Sequence, residues 1–141
     1  VVTILFGRGR TLASPLMETG KINSLTQVGI RTFNTHQKAQ AEKYGVDVIE
    51  MKDFNFNFLK RLKAPLYISL DLDVLDPAFA PGISHHEPGG MNTRDLITII
   101  QNISVEIVGA DIVEYNPNRD FQKMTSFLAA KMMKEILTKM L

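Results

Sequence analysis

Apolar residues along the chain fall into short β-prone runs, and polar stretches with helix-capping residues separate them. Leu25 to Ile30 predicts a strand; Asn34 or Thr35 then caps a predicted helix running to Tyr44, where Gly45 stops it. Val46 to Met51 predicts the next strand, and Asp53 to Leu62 a helix that Asn55 and Asn57 weaken. The apolar run Ala64 to Ile68 leads into a predicted strand over Leu66 to Leu72, covered on both faces of its sheet. Pro77 to Gly90, rich in Pro and Gly, reads as a loop long enough to carry function, with Gly82, Gly89 and Gly90 serving backbone geometry. Asn92 or Thr93 caps a helix with Leu96, Ile99 and Ile100 on one face, and Val105 to Val113 is the last strand. Gln122 to Met140 predicts a closing helix with Met124, Phe127, Leu128, Met132, Ile136 and Met140 on its apolar side, the methionines filling the core.

Strands alternating with helices predict an α/β protein, a three-layer α/β/α arrangement around a mainly parallel sheet. No linker-like stretch interrupts residues 1–141, so one domain is expected. Hydrophobic residues make up 45% of the chain, enough to bury a core rather than leave it disordered. A net charge of +1 gives no electrostatic basis for nucleic acid or an anionic membrane. The opening Val1 to Phe6 is apolar, yet it is far too short to span a bilayer and has no basic segment before it. The absence of cysteine excludes disulfides and thiolate metal sites and fits a reducing, cytoplasmic location. Phe6-Gly7-Arg8-Gly9-Arg10-Thr11-Leu12 has Gly-x-Gly after an apolar run, but without the third glycine it is a weak dinucleotide match.

The chemistry concentrates where the Leu66–Leu72 strand ends, in Ser69-Leu70-Asp71-Leu72-Asp73-Val74-Leu75-Asp76-Pro77. Side chains alternate along a strand, so Asp71 and Asp73 are expected on one face. Two carboxylates on a buried face repel each other and have lost their water, a conflict that a divalent cation resolves. Asp76-Pro77 turns the chain out of the strand, placing the pair at its carboxyl end, where open α/β sheets bind ligands. The pair reads as half of a metal site. Asp76 itself is assigned to the loop, accepting bonds from nearby amides rather than holding metal.

Ser69, Asp71, Asp73, Asp76 and Pro77 fit a Ser-x-Asp-x-Asp-x-x-Asp-Pro signature, which Ala80-Pro81-Gly82 and Ser84-His85-His86-Glu87-Pro88-Gly89-Gly90 continue. Gly109-Ala110-Asp111-Ile112-Val113-Glu114-Tyr115-Asn116-Pro117 forms a second strand-end motif, flanked by Val28-Gly29-Ile30-Arg31 and Met124 to Lys131. In these motifs residues 12–141 resemble the ureohydrolases, the arginase and agmatinase family; residues 1–11 do not. The resemblance implies an arginase-like fold truncated at its amino-terminal side. It also implies two manganese ions per complete site and hydrolysis of a guanidino group to urea and an amine. By position Asp71 bridges both metals, Asp73 ligates one, and Glu114 pairs with the guanidinium, whose donor fork matches a carboxylate. Agmatine is favoured slightly over arginine as substrate, and a homo-oligomer, trimer or hexamer, is implied.

The family's Gly-Gly-Asp-His and Asp-Ala-His-x-Asp segments, which supply most of its metal ligands, do not occur in this chain. Leu12 stands where the family has a proton-carrying His, so the catalytic residue of that step is missing. The expectation is the carboxyl-terminal half of a ureohydrolase, a fragment or truncated reading frame, inactive alone. The alternative is a degenerate, non-catalytic paralogue or oligomer partner, and a deacetylase-like metal hydrolase ranks last. Plainer roles stand beside these: Glu114 in a salt bridge with Arg119, His36 on a helix surface, and His85 and His86 diverging at the mouth of the site.

Overall fold

The structure, a computed structural model, describes residues 2–7 and 17–141; Leu12 and most of the Gly-x-Gly run lie outside the described residues. Five parallel strands form the sheet: β1 (Val2–Phe6), β2 (Ser24–Ile30), β3 (Asp47–Glu50), β4 (Leu66–Asp71) and β5 (Ile107–Val113), in the order β3-β2-β1-β4-β5. The apolar opening segment is therefore a central strand. Val2–Phe6 pairs with Ser24–Val28 on one side and with Leu66–Leu70 on the other.

Three helices connect or follow these strands: α1 (Thr35–Tyr44), α2 (Thr93–Asn102) and α3 (Met124–Met140). From β2 through α1 to β3 the sheet grows in one direction, and from β4 through α2 to β5 in the other. Because such crossovers are right-handed, α1 and α2 cover opposite faces, which gives the three expected layers. The strand order reverses between β1 and β4, so a crevice opens at the carboxyl ends of those two strands. Buried Ile4 and Phe6 of β1 and Ile68 and Leu70 of β4 join Leu96, Ile99 and Ile100 of α2 and Leu128, Met132 and Ile136 of α3 in one core. By contrast, α1 is polar and buries only Ala41, relying on its ends. Asn34 and Gln37 bond reciprocally at 2.9 Å in a capping box, and Gly45 closes the helix at φ 62°.

Four sequence expectations are corrected. Residues 53–62 form no α-helix but 3-10 turns at Met51–Asp53 and Phe56–Arg61, because Asn55 accepts the Asn57 N–H and diverts the backbone. The last strand starts at Ile107, not Val105, and the closing helix starts at Met124 because Gln122 and Lys123 are left-handed at φ 47° and 63°. The apolar side of α3 is narrower than expected: Thr125, Leu128, Met132 and Ile136 are buried, whereas Phe127 is 72% exposed and Met124 and Met140 also face outward. A second apolar flank, Ala130, Met133, Leu137 and Leu141, lines a groove of about 530 Å³ beside Ile112 of β5. Among the described residues no helix is long and apolar enough to cross a membrane.

Ile68 is fully buried at the centre of the sheet and Val108 is 49% exposed on β5, so the two positions separate core from edge. Ile68→Ala is expected to cost about 2–5 kcal/mol, through lost transfer energy plus a cavity. Val108→Ala is expected to stay within about 0.5 kcal/mol. Urea unfolding midpoints of the two variants check both values.

Candidate metal and substrate site

The strand β4 ends at Asp71, and Asp73 lies in a 3-10 turn over Leu72–Val74. Strand alternation therefore does not set the position of Asp73. What sets it is the Asp71 side chain, which accepts the Asp73 N–H at 2.8 Å and folds the turn back on the strand end. Across the crevice, the end of β1 comes close: a Cβ added at Gly7 would lie 2.8 Å from the Asp71 carboxyl carbon. Only glycine leaves Asp71 that space. Arg31, just beyond β2, holds the turn from behind. Its guanidinium donates to the carbonyls of Val74 and Leu75 at 3.2 Å each and to that of Asp73, with the side chain only 6% exposed.

The loop from Pro77 to Gly90 is fixed from several directions. Asp76 accepts the amides of Ala78 at 2.9 Å, Gly89 at 2.7 Å and Gly90 at 3.3 Å, as a loop-shaping residue should. Gly90 passes so close that an added Cβ would sit 2.1 Å from the Arg31 guanidinium. Thr125, at the start of α3, accepts the Gly82 N–H at 2.7 Å, and Asn116 N–H donates to the Gly82 carbonyl at 2.8 Å. Arg119 donates to the Ser84 carbonyl at 2.9 Å rather than pairing with Glu114. An isolated bridge between Ile83 and Tyr115 completes the tie to the segment after β5.

These ties deliver His85 to the strand ends. Its Nδ1 lies 2.9 Å from Asp73 Oδ2 and 4.0 Å from Glu114 Oε2, while its backbone N–H reaches Asp73 Oδ1 at 3.4 Å. Asp73 is 1% exposed and Glu114 is open to solvent. Glu114 adopts φ 66°, a left-handed conformation that costs a non-glycine residue on the order of 1 kcal/mol and that tends to mark functional positions. One ligand atom from each of Asp73, His85 and Glu114 fits within 4.8 Å of the others, a set of two hard oxygens and one imidazole nitrogen suited to manganese or zinc. Asp71 stands outside this trio, against Gly7 and the Asp73 amide. His86 turns away to the Pro81 carbonyl at 2.8 Å, and His36 is exposed on α1.

The Arginase family model matches residues 6–138. The chain belongs to the arginase family of ureohydrolases. It is 45% identical over 139 residues to a mitochondrial arginase of Medicago truncatula, covering 91% of this chain and 41% of that protein. A formimidoylglutamase of Halalkalibacterium halodurans is 40% identical over 132 residues, covering 82% of this chain and 41% of the relative. The solved arginase from Medicago truncatula superimposes with a TM-score of 0.83 at 38% identity, covering 99% of this chain and 51% of that structure. The chain thus spans about half the length of the relatives it matches, or less.

Arg31 belongs to one of the family-like segments, yet its role was not read from the sequence; an arginine directly after a buried strand was the available signal. The Asp111 contacts were also missed: its carboxylate accepts the hydroxyls of Tyr67 and Ser69 at 2.7 Å each, tying β5 to β4 and pushing the Tyr67 pKa up. The Ala78 amide holds the Asp76 carboxyl below its ordinary pKa; burial opposes this, and Gly89, Gly90 and Arg31 add to the lowering. A carboxylate with a lowered folded pKa stabilises the fold above its unfolded pKa, about 3.9, and loses that stabilisation as pH falls through the folded value. Unfolding midpoints are therefore expected to drop with acidification below about pH 4. Asp76→Asn is expected to lower the midpoint at pH 7 and to flatten the acid drop, which urea titrations across pH 2–7 measure.

Proposed function

We propose that this chain is the carboxyl-terminal, substrate-gripping half of a metal-dependent ureohydrolase that hydrolyses a guanidino group to urea and an amine. The observation that carries this reading is the convergence of Asp73, His85 and Glu114 at the carboxyl ends of β4 and β5, in a chain of the arginase family. Glu114 presents its carboxylate at the open side of the site, where a planar guanidinium docks through parallel N–H···O bonds. Asp73, buried beneath it, faces the same point and is fixed by the turn that Asp71 and Arg31 hold. Manganese bound there supplies Lewis acidity and a water acidic enough to lose a proton near neutral pH. Asp71, next to the β1 end, would be shared by both ions of the complete site.

Arginine is the proposed substrate, with agmatine as the comparator, because the arginase of Medicago truncatula is 45% identical. The open edge of β5 and the apolar groove along α3 are the proposed seat for the polypeptide that the relatives carry beyond the matched region, whether joined to this chain or separate. A homo-oligomer and a cytoplasmic location remain part of the proposal. One observation favours a second, non-catalytic reading: Gly7, beside Asp71 at the end of β1, offers no side-chain ligand to a metal.

Fusing or mixing the chain with the amino-terminal half of a complete relative is expected to yield manganese-dependent release of urea from arginine, lost on chelation. Glu114→Gln is expected to lower kcat/KM by about 100-fold or more, as removal of a charge-orienting group does. No urea from either the natural sequence or Leu12→His, with complex formation seen by size exclusion, favours the non-catalytic reading.

A further inference from the structure

We infer that Asp120, acting through Tyr115, is the positioning residue that aims the Glu114 carboxylate at the substrate. The strand β5 ends at Val113, and side chains alternate along a strand, so an extended residue 114 would share the face of Ile112 beside α3. At φ 66° the backbone turns instead, and Glu114 Oε2 comes to 4.0 Å from His85 Nδ1. A non-glycine residue keeps a left-handed backbone only where its surroundings over-determine it. What holds Glu114 is the segment that follows it.

Four hydrogen bonds close a circuit that begins one residue after Glu114. The Tyr115 hydroxyl donates to Asp120 Oδ2 at 3.0 Å, and Asp120 Oδ1 accepts the Thr125 N–H at 2.8 Å. Thr125 Oγ1 accepts the Gly82 N–H at 2.7 Å, and the Gly82 carbonyl accepts the Asn116 N–H at 2.8 Å. Asn116 follows Tyr115 in the chain, so the circuit returns to its start. Asp120 Oδ2 also accepts the Ser126 N–H at 3.0 Å, satisfying a first-turn amide of α3 where Lys123 gives no side-chain cap. Gly82 packs so closely that an added Cβ would lie 2.7 Å from Asp120 Cβ. The Ile83–Tyr115 bridge and the Arg119 bond to the Ser84 carbonyl extend the same contact toward His85. Tyr115 and Asn116 are gripped from both sides, and the turn at Glu114 takes up the change of direction between β5 and this clamp. The part Glu114 plays toward a guanidinium rests on the ureohydrolase reading; the hold on its backbone does not.

Tyr115→Phe removes one link and leaves Asp120 capping α3, so it separates positioning from helix capping. Nuclear magnetic resonance of the labelled 141-residue chain reads the Glu114 backbone through its carbon shifts and HN–Hα coupling. Glu114 is expected to be left-handed in the unaltered chain and to lose that signature in Asp120→Ala and in Tyr115→Phe. Asp120→Asn, which keeps one acceptor oxygen, is expected to restore part of it. The amides of Leu128 to Ile136 are expected to keep their positions in the Tyr115→Phe spectrum. An unchanged Glu114 in Tyr115→Phe overturns the proposal, whatever Asp120→Ala does to the fold, and so does an extended Glu114 in the unaltered chain. In the protein complemented with the amino-terminal half of a relative, Tyr115→Phe is expected to lower kcat/KM for arginine about tenfold, chiefly by raising KM. An unchanged KM beside a moved Glu114 also overturns the proposal. Urea release with Glu114 unmoved by Tyr115→Phe refutes the positioning role and keeps the ureohydrolase reading. A moved Glu114 with no urea from the complemented, unaltered protein keeps the hold on Glu114 and sinks the ureohydrolase reading.

Discussion

A buried guanidinium, that of Arg31, takes the carbonyl oxygens of Asp73, Val74 and Leu75, three groups that a tight turn leaves without helical partners. That contact lets β4 end abruptly inside the protein instead of running out to the surface. Asp71 closes the same turn from the strand side by accepting the Asp73 amide, so the two side chains clamp the chain between them. With the turn fixed, Asp76 falls where it can gather Ala78, Gly89 and Gly90, and the loop closes back on the crevice. The Asp73, His85 and Glu114 group exists because this sequence of local constraints leaves the loop few other places to go.

Periodicity and capping carried most of the architecture. The helix at Thr35–Tyr44 was legible to within about a residue at each end, since the cap at Asn34 or Thr35 and the stop at Gly45 are local signals acting on local backbone. The helix expected over residues 53–62 was not, because Asn55 offered the backbone a closer partner than the next helical turn. Phe127 illustrates a different limit: on a helix with apolar residues on two flanks, composition alone does not say which flank meets the core. The first strand escaped notice because a short apolar segment with no motif looks the same at a sheet's centre and at its edge.

At the site, residue types were legible and their company was not. Asp71, Asp73 and Glu114 announce themselves through motifs, but strand alternation was the wrong rule for Asp73 once the strand stopped at Asp71. His85 is brought in by long-range hydrogen bonds from Thr125 and Asn116 to the loop, contacts more than thirty positions apart that no local pattern encodes. The same long-range character explains Arg31. Its partners lie on the far side of two intervening strands in sequence, though next to it in space.

The position of β1 has a kinetic consequence. It is inserted between β2 and β4, pairing Val2 with both Ser24 and Leu66, so the strand pairing between the two sides of the sheet runs through it. One side of this seam forms early from a nearby partner, and the other waits until the chain has passed through α1, β3 and the 3-10 turns. Pairings so distant in sequence slow folding, because loop closure precedes the reward of contact. During that wait a β-prone segment has one flank unpaired, the kind of surface that recruits other chains. Folding yield at rising protein concentration, rather than final stability, is where a change in β1 would be felt first.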